Sequence, residues 1–156
     1  MIESMEDLIA GQPLFSGLPG DVAATAAGCA RNVTFGTGRL LLAEGDEATT
    51  LLLLRRGRVA IEVHGGDRKT MVVETVGPGQ VVGWSWMVPP HTWSFDARAL
   101  EPVGAIAVDA ACLRAKAEAD PAFGYELLGR ISQALLQRLQ ATRLRLLDLY
   151  GDVDAG

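Results

Sequence analysis

The chain has 156 residues, with 14 Lys and Arg against 19 Asp and Glu and a formal net charge of −5. That length suits one ordinary domain able to bury most of the surface its unfolded form exposes. The acidic balance argues against a face of clustered Lys and Arg, so no nucleic-acid partner is expected, and no apolar run approaches the ~20 residues of a membrane span.

The N-terminal MIESMEDLIA carries acid where a signal peptide carries base, which predicts a cytoplasmic protein with no membrane partner. Residues 1–30 read as an N-terminal helical cap: Leu8, Ile9, Leu14, Phe15 and Leu18 are apolar anchors, and Pro19 opens a short second helix from Val22 to Cys29. Cys29 and Cys112 lie in alanine-rich surroundings, which predicts two buried free thiols rather than a bridge and fits a reducing compartment.

Residues 31–108 form a glycine-punctuated β region, with strands predicted over 32–35, 40–43, 51–55, 59–64, 70–76, 94–100 and 103–108. Turns fall at Gly36, Gly45-Asp46, Gly57, Gly65-Gly66 and Gly77-Pro78-Gly79. That recurrence favours a sandwich or closed barrel over a parallel sheet, and Gly65-Gly66-Asp67 is a natural hairpin tip. Between residues 77 and 100, GPGQVVGWSWMVPPHTWSFDARAL holds all three tryptophans, Trp84, Trp86 and Trp93, a crowding that suggests a pocket lining. In 94–100, Phe95, Ala97 and Ala99 take one face and Ser94, Asp96 and Arg98 the other, so Asp96 and Arg98 are expected to form a solvated surface ion pair.

In the third zone, 109–150, Asp109 caps a helix through Glu118. Asp120-Pro121 then supplies the N-cap and first-turn proline of a helix over 121–150, which Gly151 is expected to stop. At 1.5 Å per residue that helix is about 45 Å long, more than one small sheet can cover. Leu128, Ser132, Leu135, Leu139, Thr142, Leu146 and Leu149 alternate at spacings of four and three, the seam of two helices packing in register, so a homodimer through this helix is expected. Ile131, Leu136, Leu144 and Leu147 are read as the part lying on its own domain.

The residues that could carry chemistry point away from an enzyme. His64 and His91 are the only histidines and have no ligand set at suitable spacing, so no metal and no cofactor are expected; His64 is placed at an exposed strand end and His91 in a loop. Gly83-Trp84-Ser85 starts like a nucleophile elbow, but Met87 stands where its second glycine is needed. Gly77, Gly79 and Gly83 could offer N–H groups to an anion, yet no Lys or Arg lies between Gly77 and Ala97 to offset a buried phosphate.

EGD at Glu44 to Asp46, LLLLRRGRV at Leu51 to Val59, and GPG at Gly77 to Gly79 with the following V-G resemble the cyclic nucleotide-binding domain family, over nearly the whole chain. The resemblance implies a mainly β fold: a cyclic nucleotide-binding-like double-stranded β-helix, or jelly-roll (cupin-like) β roll, with flanking N-terminal helices and a long C-terminal dimerisation helix. The tail LLQRLQATRLRLLDLYG is similar to the dimer helix of the catabolite activator type. That family's phosphate-binding cassette reads F-G-E-[LI]-A, a short helix, then R-[ST]-A, its glutamate holding the ribose hydroxyl and its arginine neutralising the cyclic phosphate. On that frame the cassette occupies 77–99: Val82-Gly83 matches F-G, Trp84 stands at the glutamate, Trp93 at the arginine, and only Ser94 is kept.

An indole offers one N–H donor and no charge, and losing a charged hydrogen bond in a desolvated site typically costs a few kcal/mol. Binding of cAMP or cGMP by the usual charged contacts is therefore not expected. Two readings stand open for the candidate pocket of Gly83, Trp84, Ser85, Trp86, His91, Trp93 and Ser94. The indoles plug it, or they line a remodelled site for an uncharged flat or apolar small molecule, or for a nucleotide in an unusual pose, with Ser85, Ser94 and His91 as its polar groups. Transcription factors of the family continue beyond this helix into a helix-turn-helix, whereas this sequence ends at Gly156, so a regulatory or scaffold module acting through protein contact is expected. GWSW, PP, W, FDARA and CLRAKAEAD are also similar to stand-alone members found alongside nickel-iron hydrogenase components, which implies a redox-enzyme partner such as a hydrogenase.

Overall fold

A computed structural model describes residues 3–67 and 69–154. Two short helices, α1 (Met5–Ala10) and α2 (Gly20–Ala27), precede the strands β1 (Ala30–Phe35), β2 (Leu40–Leu42), β3 (Thr50–Arg56), β4 (Val59–His64), β5 (Thr70–Val76), β6 (Val81–Val82), β7 (Asp96–Ala99) and β8 (Val103–Asp109). A 3-10 turn at Ser85–Met87 interrupts the last stretch, and α3 (Ala110–Ala119) and α4 (Pro121–Asp154) complete the chain. The strands form two four-stranded antiparallel sheets ordered β1-β8-β3-β6 and β2-β7-β4-β5. This is the expected β roll with helices at both ends.

Burial explains the strand patterns. The four leucines of β3, Leu51 to Leu54, are all buried, as are Val103 to Val108 of β8, so these central strands read as continuous apolar runs rather than alternating ones. Strands β4 and β5 meet at the predicted hairpin, closed by the Gly65 N–H donating to the Lys69 carbonyl at 2.8 Å. Strand β6, only two residues long, was not anticipated, since a piece this short carries no periodicity to read, and the 3-10 turn stands where the cassette frame carries its short helix.

Three expectations are corrected. Cys29 and Cys112 are bonded to each other rather than free. Pairing of β1 with β8 sets Ala30 opposite Val108, and the Asp109 N–H donates to the Cys29 carbonyl at 2.9 Å, so the end of α2 and the first turn of α3 are brought together across 83 residues of sequence. Cysteine usage therefore no longer points to a reducing compartment; among the described residues no helix is long and apolar enough to cross a membrane. Gly151 does not stop α4, which runs on to Asp154; a glycine costs a helix interior only about 1 kcal/mol relative to alanine. Finally, α4 lies on its own domain through Phe123, Leu127 and Ile131, whereas Leu136, Leu144 and Leu147 are exposed. The β roll is shorter than the helix, and every residue from Leu139 to Tyr150 is exposed.

Gly57 passes the chain from one sheet to the other between β3 and β4. Its φ is +86°, and a Cβ there would lie 2.5 Å from the Pro102 carbonyl oxygen. Gly57→Ala therefore combines left-handed strain with a backbone clash, and is expected to lower stability by about 2 kcal/mol or more in chemical denaturation. An unchanged midpoint and slope would refute the tight crossover.

Candidate functional site

The cassette is stitched to the roll at both ends by backbone hydrogen bonds. At its start, the Gly79 N–H donates to Leu54 O at 2.8 Å, and the Leu54 N–H donates to Gln80 O at 3.0 Å. At its end, the Trp93 N–H donates to Asp46 O at 3.0 Å, and the Gly45 N–H donates to Trp93 O at 2.9 Å. The EGD turn thus fixes the backbone from which the Trp93 side chain projects. Between these anchors the Arg114 guanidinium of α3 donates to the Trp86 carbonyl at 2.8 Å and holds the 3-10 turn.

The three indoles have different surroundings. Trp93 is 5 % exposed and lies on Gly83, where a Cβ would come within 2.5 Å of its Cζ3. Gly83 also has φ +83°, so position 83 requires a residue without a side chain for two independent reasons. Trp86, the middle residue of the 3-10 turn, is buried in the core, and its Nε1–H finds no partner among the described residues. Trp84 is half-buried, with its Nε1–H likewise buried and unpartnered.

What remains of the recess is a cavity of about 270 Å³ between β roll and α4, lined by Ile61, Glu74, Gly83, Trp84, Phe95, Leu135, Arg138, Leu139 and Thr142. This is just below the ~300–1,000 Å³ usual for small-molecule sites. Of the predicted pocket residues, Gly83 and Trp84 line it. Trp86 and Trp93 are in the core, Ser85 and His91 are half-buried without lining it, and Ser94 is exposed. His91 has φ +57° and follows Pro89-Pro90; its carbonyl accepts the Ala48 N–H at 2.7 Å.

Sequence reasoning missed Arg138. Cations were counted only along the cassette, but α4 brings this guanidinium across the roll, where it donates to Val81 O at 2.9 Å and to Glu74 Oε2 at 2.6 Å. Its signal was readable: a charged residue continues the domain-facing stripe Phe123, Leu127, Ile131 and Leu135. Of the proposed seam, Leu135 packs partly against its own core, the hydroxyls of Ser132 and Thr142 donate to Leu128 O and Arg138 O within α4, and Leu128, Leu139, Leu146 and Leu149 are exposed.

The outer face of the second sheet carries a further correction. Asp96 is not paired with Arg98 in solvent. It is buried, accepting the Glu44 N–H at 2.7 Å and meeting His64 Nε2 at 2.8 Å, while Arg98 donates to Glu62 at 3.1 Å and to Gly38 O at 2.8 Å. The register sets Glu62 opposite Asp96 on β4 and β7, and the short Asp96 side chain turns to His64 and the Glu44 amide while the longer Arg98 reaches diagonally to Glu62.

These features define the class. The description "Cyclic nucleotide-binding domain" belongs to the family model that matches residues 32–120, and the chain belongs to that family, which is generally regulatory and non-enzymatic. Among solved structures, the putative cyclic nucleotide-binding protein from Geobacter metallireducens GS-15 is 28 % identical, with a TM-score of 0.76 over 88 % of this chain and 99 % of its own. A cyclic nucleotide-binding domain from Methylobacillus flagellatus KT shares the fold at 21 % identity, TM-score 0.79, over 93 % of this chain and 82 % of its own. The Thermus thermophilus catabolite activator protein does so at 22 %, TM-score 0.70, over 88 % of this chain and 63 % of its own. No curated protein sequence matches the chain.

The His64–Asp96 contact makes a pH prediction. The Asp96 hydrogen bond, aided by its charge and those of Glu44 and Glu62, raises the His64 pKa above 6.5 against a smaller opposing effect of desolvation. The Glu44 N–H foremost, then His64, lower that of Asp96 below 3.8 although burial opposes them. Linkage gives the signs: the His64 contribution is full below pH 6.5 and fades as pH rises through its folded pKa, while the Asp96 contribution is full above pH 3.8 and fades as pH falls through its own. Proton NMR should place the His64 midpoint above 6.5 and move it down in Asp96→Asn; a midpoint unaffected by that substitution would contradict the pairing.

Proposed function

We propose that this protein is a non-enzymatic regulatory or scaffold module of the cyclic nucleotide-binding domain type that has given up the charged grip on cyclic nucleotide and acts as a dimer through α4. The observation that carries this reading is Trp93, at the position of the family's phosphate-neutralising arginine, buried against Gly83. Arg138 does not replace the lost cation, because Glu74 and the Val81 carbonyl already occupy it. A phosphate entering here would meet the Glu74 carboxylate and the Trp84 indole.

A second reading, a sensor for an uncharged flat or apolar small molecule, is favoured by the buried, unpartnered Nε1–H of Trp84 on the wall of a cavity otherwise lined largely by Ile61, Phe95, Leu135 and Leu139. A hydrogen-bond acceptor on such a ligand would satisfy that donor. The redox-enzyme partner implied by resemblance belongs to the regulatory reading and is compatible with either state of the cavity.

Calorimetric titration with cAMP and with cGMP is expected to give no binding heat up to about 1 mM nucleotide, where a site would be worth only ~4 kcal/mol. Micromolar affinity would overturn the proposal. In a separate test, the wild-type chain should sediment at twice 16.5 kDa, and Leu139→Asp with Leu146→Asp, both on exposed positions, should sediment as a monomer with its circular dichroism preserved. A monomeric wild type, or a double variant that stays dimeric, would remove α4 as the interface.

A further inference from the structure

A larger recess lies along the flank of α4 next to the leucine stripe. It is an open furrow of about 960 Å³ between α4, the α1–α2 connection (Gly11, Pro13, Leu14, Ser16) and the β5–β6 turn (Pro78, Gly79, Gln80), with Trp84 and Glu74 at its inner edge. From α4 it is lined by Arg130, Gln133, Ala134, Gln137, Arg138, Ala141 and Arg145. On a helix of 3.6 residues per turn the three arginines fall on one side, and Leu128, Leu139 and Leu146 fall on a neighbouring side.

Charge is the distinctive property. In a chain of net −5, this furrow gathers three arginines against one acidic residue, Glu74. Only Arg138 is paired; Arg130 and Arg145 have no carboxylate within 4.0 Å among the described residues. Arg130 is half-buried, its Nη2 lying 3.4 Å from where a Cβ on Gly17 would be. Gln133 and Gln137 add side-chain amides able both to donate and to accept.

We propose that the furrow docks an extended acidic segment of a partner protein. The arginine row from 130 to 145 is about 22 Å long at 1.5 Å per residue, the span of roughly six or seven residues of extended chain. A site open along such a length suits a strand-like peptide, whereas a small anion is usually enclosed. Carboxylates pair with Arg130 and Arg145, and the glutamines meet the peptide's main-chain groups. The proposal does not depend on whether the inner cavity binds nucleotide.

The test uses the full chain and fluorescence anisotropy with a labelled peptide of about eight residues carrying glutamate at alternate positions, beside its glutamine counterpart. The acidic peptide is expected to bind and the neutral one not. Arg130→Glu with Arg145→Glu should weaken binding by at least about tenfold while circular dichroism and thermal midpoint stay as in the wild type. Gln133→Glu with Gln137→Glu, which leaves every arginine in place, should weaken it in the same direction, so a folding failure in the first variant does not decide the matter. Equal binding of the two peptides, or tight binding to both double variants, would overturn the proposal. A single-stranded oligonucleotide that binds better than the acidic peptide and is lost in the arginine variant would overturn it too, by assigning the furrow to nucleic acid.

Discussion

The indole of Trp93 rests on Gly83, and that contact decides what the rest of the recess can be. A tryptophan needs a flat bare surface of its own size, and a glycine at left-handed φ supplies it without a Cβ in the way. The two residues enclose volume that a ligand would otherwise fill, and the contact is apolar, so it holds at any ionic strength. On the proposed reading the chain itself fills this part of the recess, through a ring whose full burial is worth several kcal/mol. Everything around the cassette is arranged to keep the indole there: the EGD turn holds its backbone, and Arg114 holds the 3-10 turn from outside.

The long helix then acts as a wall. Phe123, Leu127 and Ile131 dock it, and Arg138 closes the row with two hydrogen bonds to the β5–β6 region. Both charges of the Arg138–Glu74 pair are only about a quarter exposed, so breaking one side leaves the other poorly solvated. The pair therefore serves less as a source of stability than as a register mark: it sets how far along α4 the roll makes contact. The same helix thereby separates a small apolar cavity on one flank from a long cationic furrow on the other.

The fold was legible because glycine turns, a four-leucine strand and two capping aspartates are local signals, and each sits where its element begins or ends. The proposed exchange of charged ligands for Trp84 and Trp93 rests on the same kind of signal, since a motif is read position by position. What was not legible is what depends on distance in sequence. The Cys29–Cys112 bond requires knowing that β1 pairs with β8, and the choice of His64 over Arg98 as the partner of Asp96 requires the register of β4 against β7. Arg138 shows the intermediate case. Its place on the buried stripe of α4 could be read from helical spacing, but its target could not.

A cyclic nucleotide can work a switch only by binding one conformation better than another, and the largest such difference comes from charge contacts made in one state alone. On the proposed reading those contacts are replaced by groups that have partners without a ligand: an indole on a glycine, a guanidinium on a glutamate of the same chain, and a covalent bond between the end of α2 and α3. On the proposed reading the position of α4 is therefore set by folding itself, and regulation must enter where groups still lack partners. Those are the leucines along the overhanging half of the helix, and Arg130 and Arg145 on the flank beside them. A module whose interior is settled and whose exposed helix carries two chemically different faces is suited to holding two partners at once, one through apolar burial and one through charge.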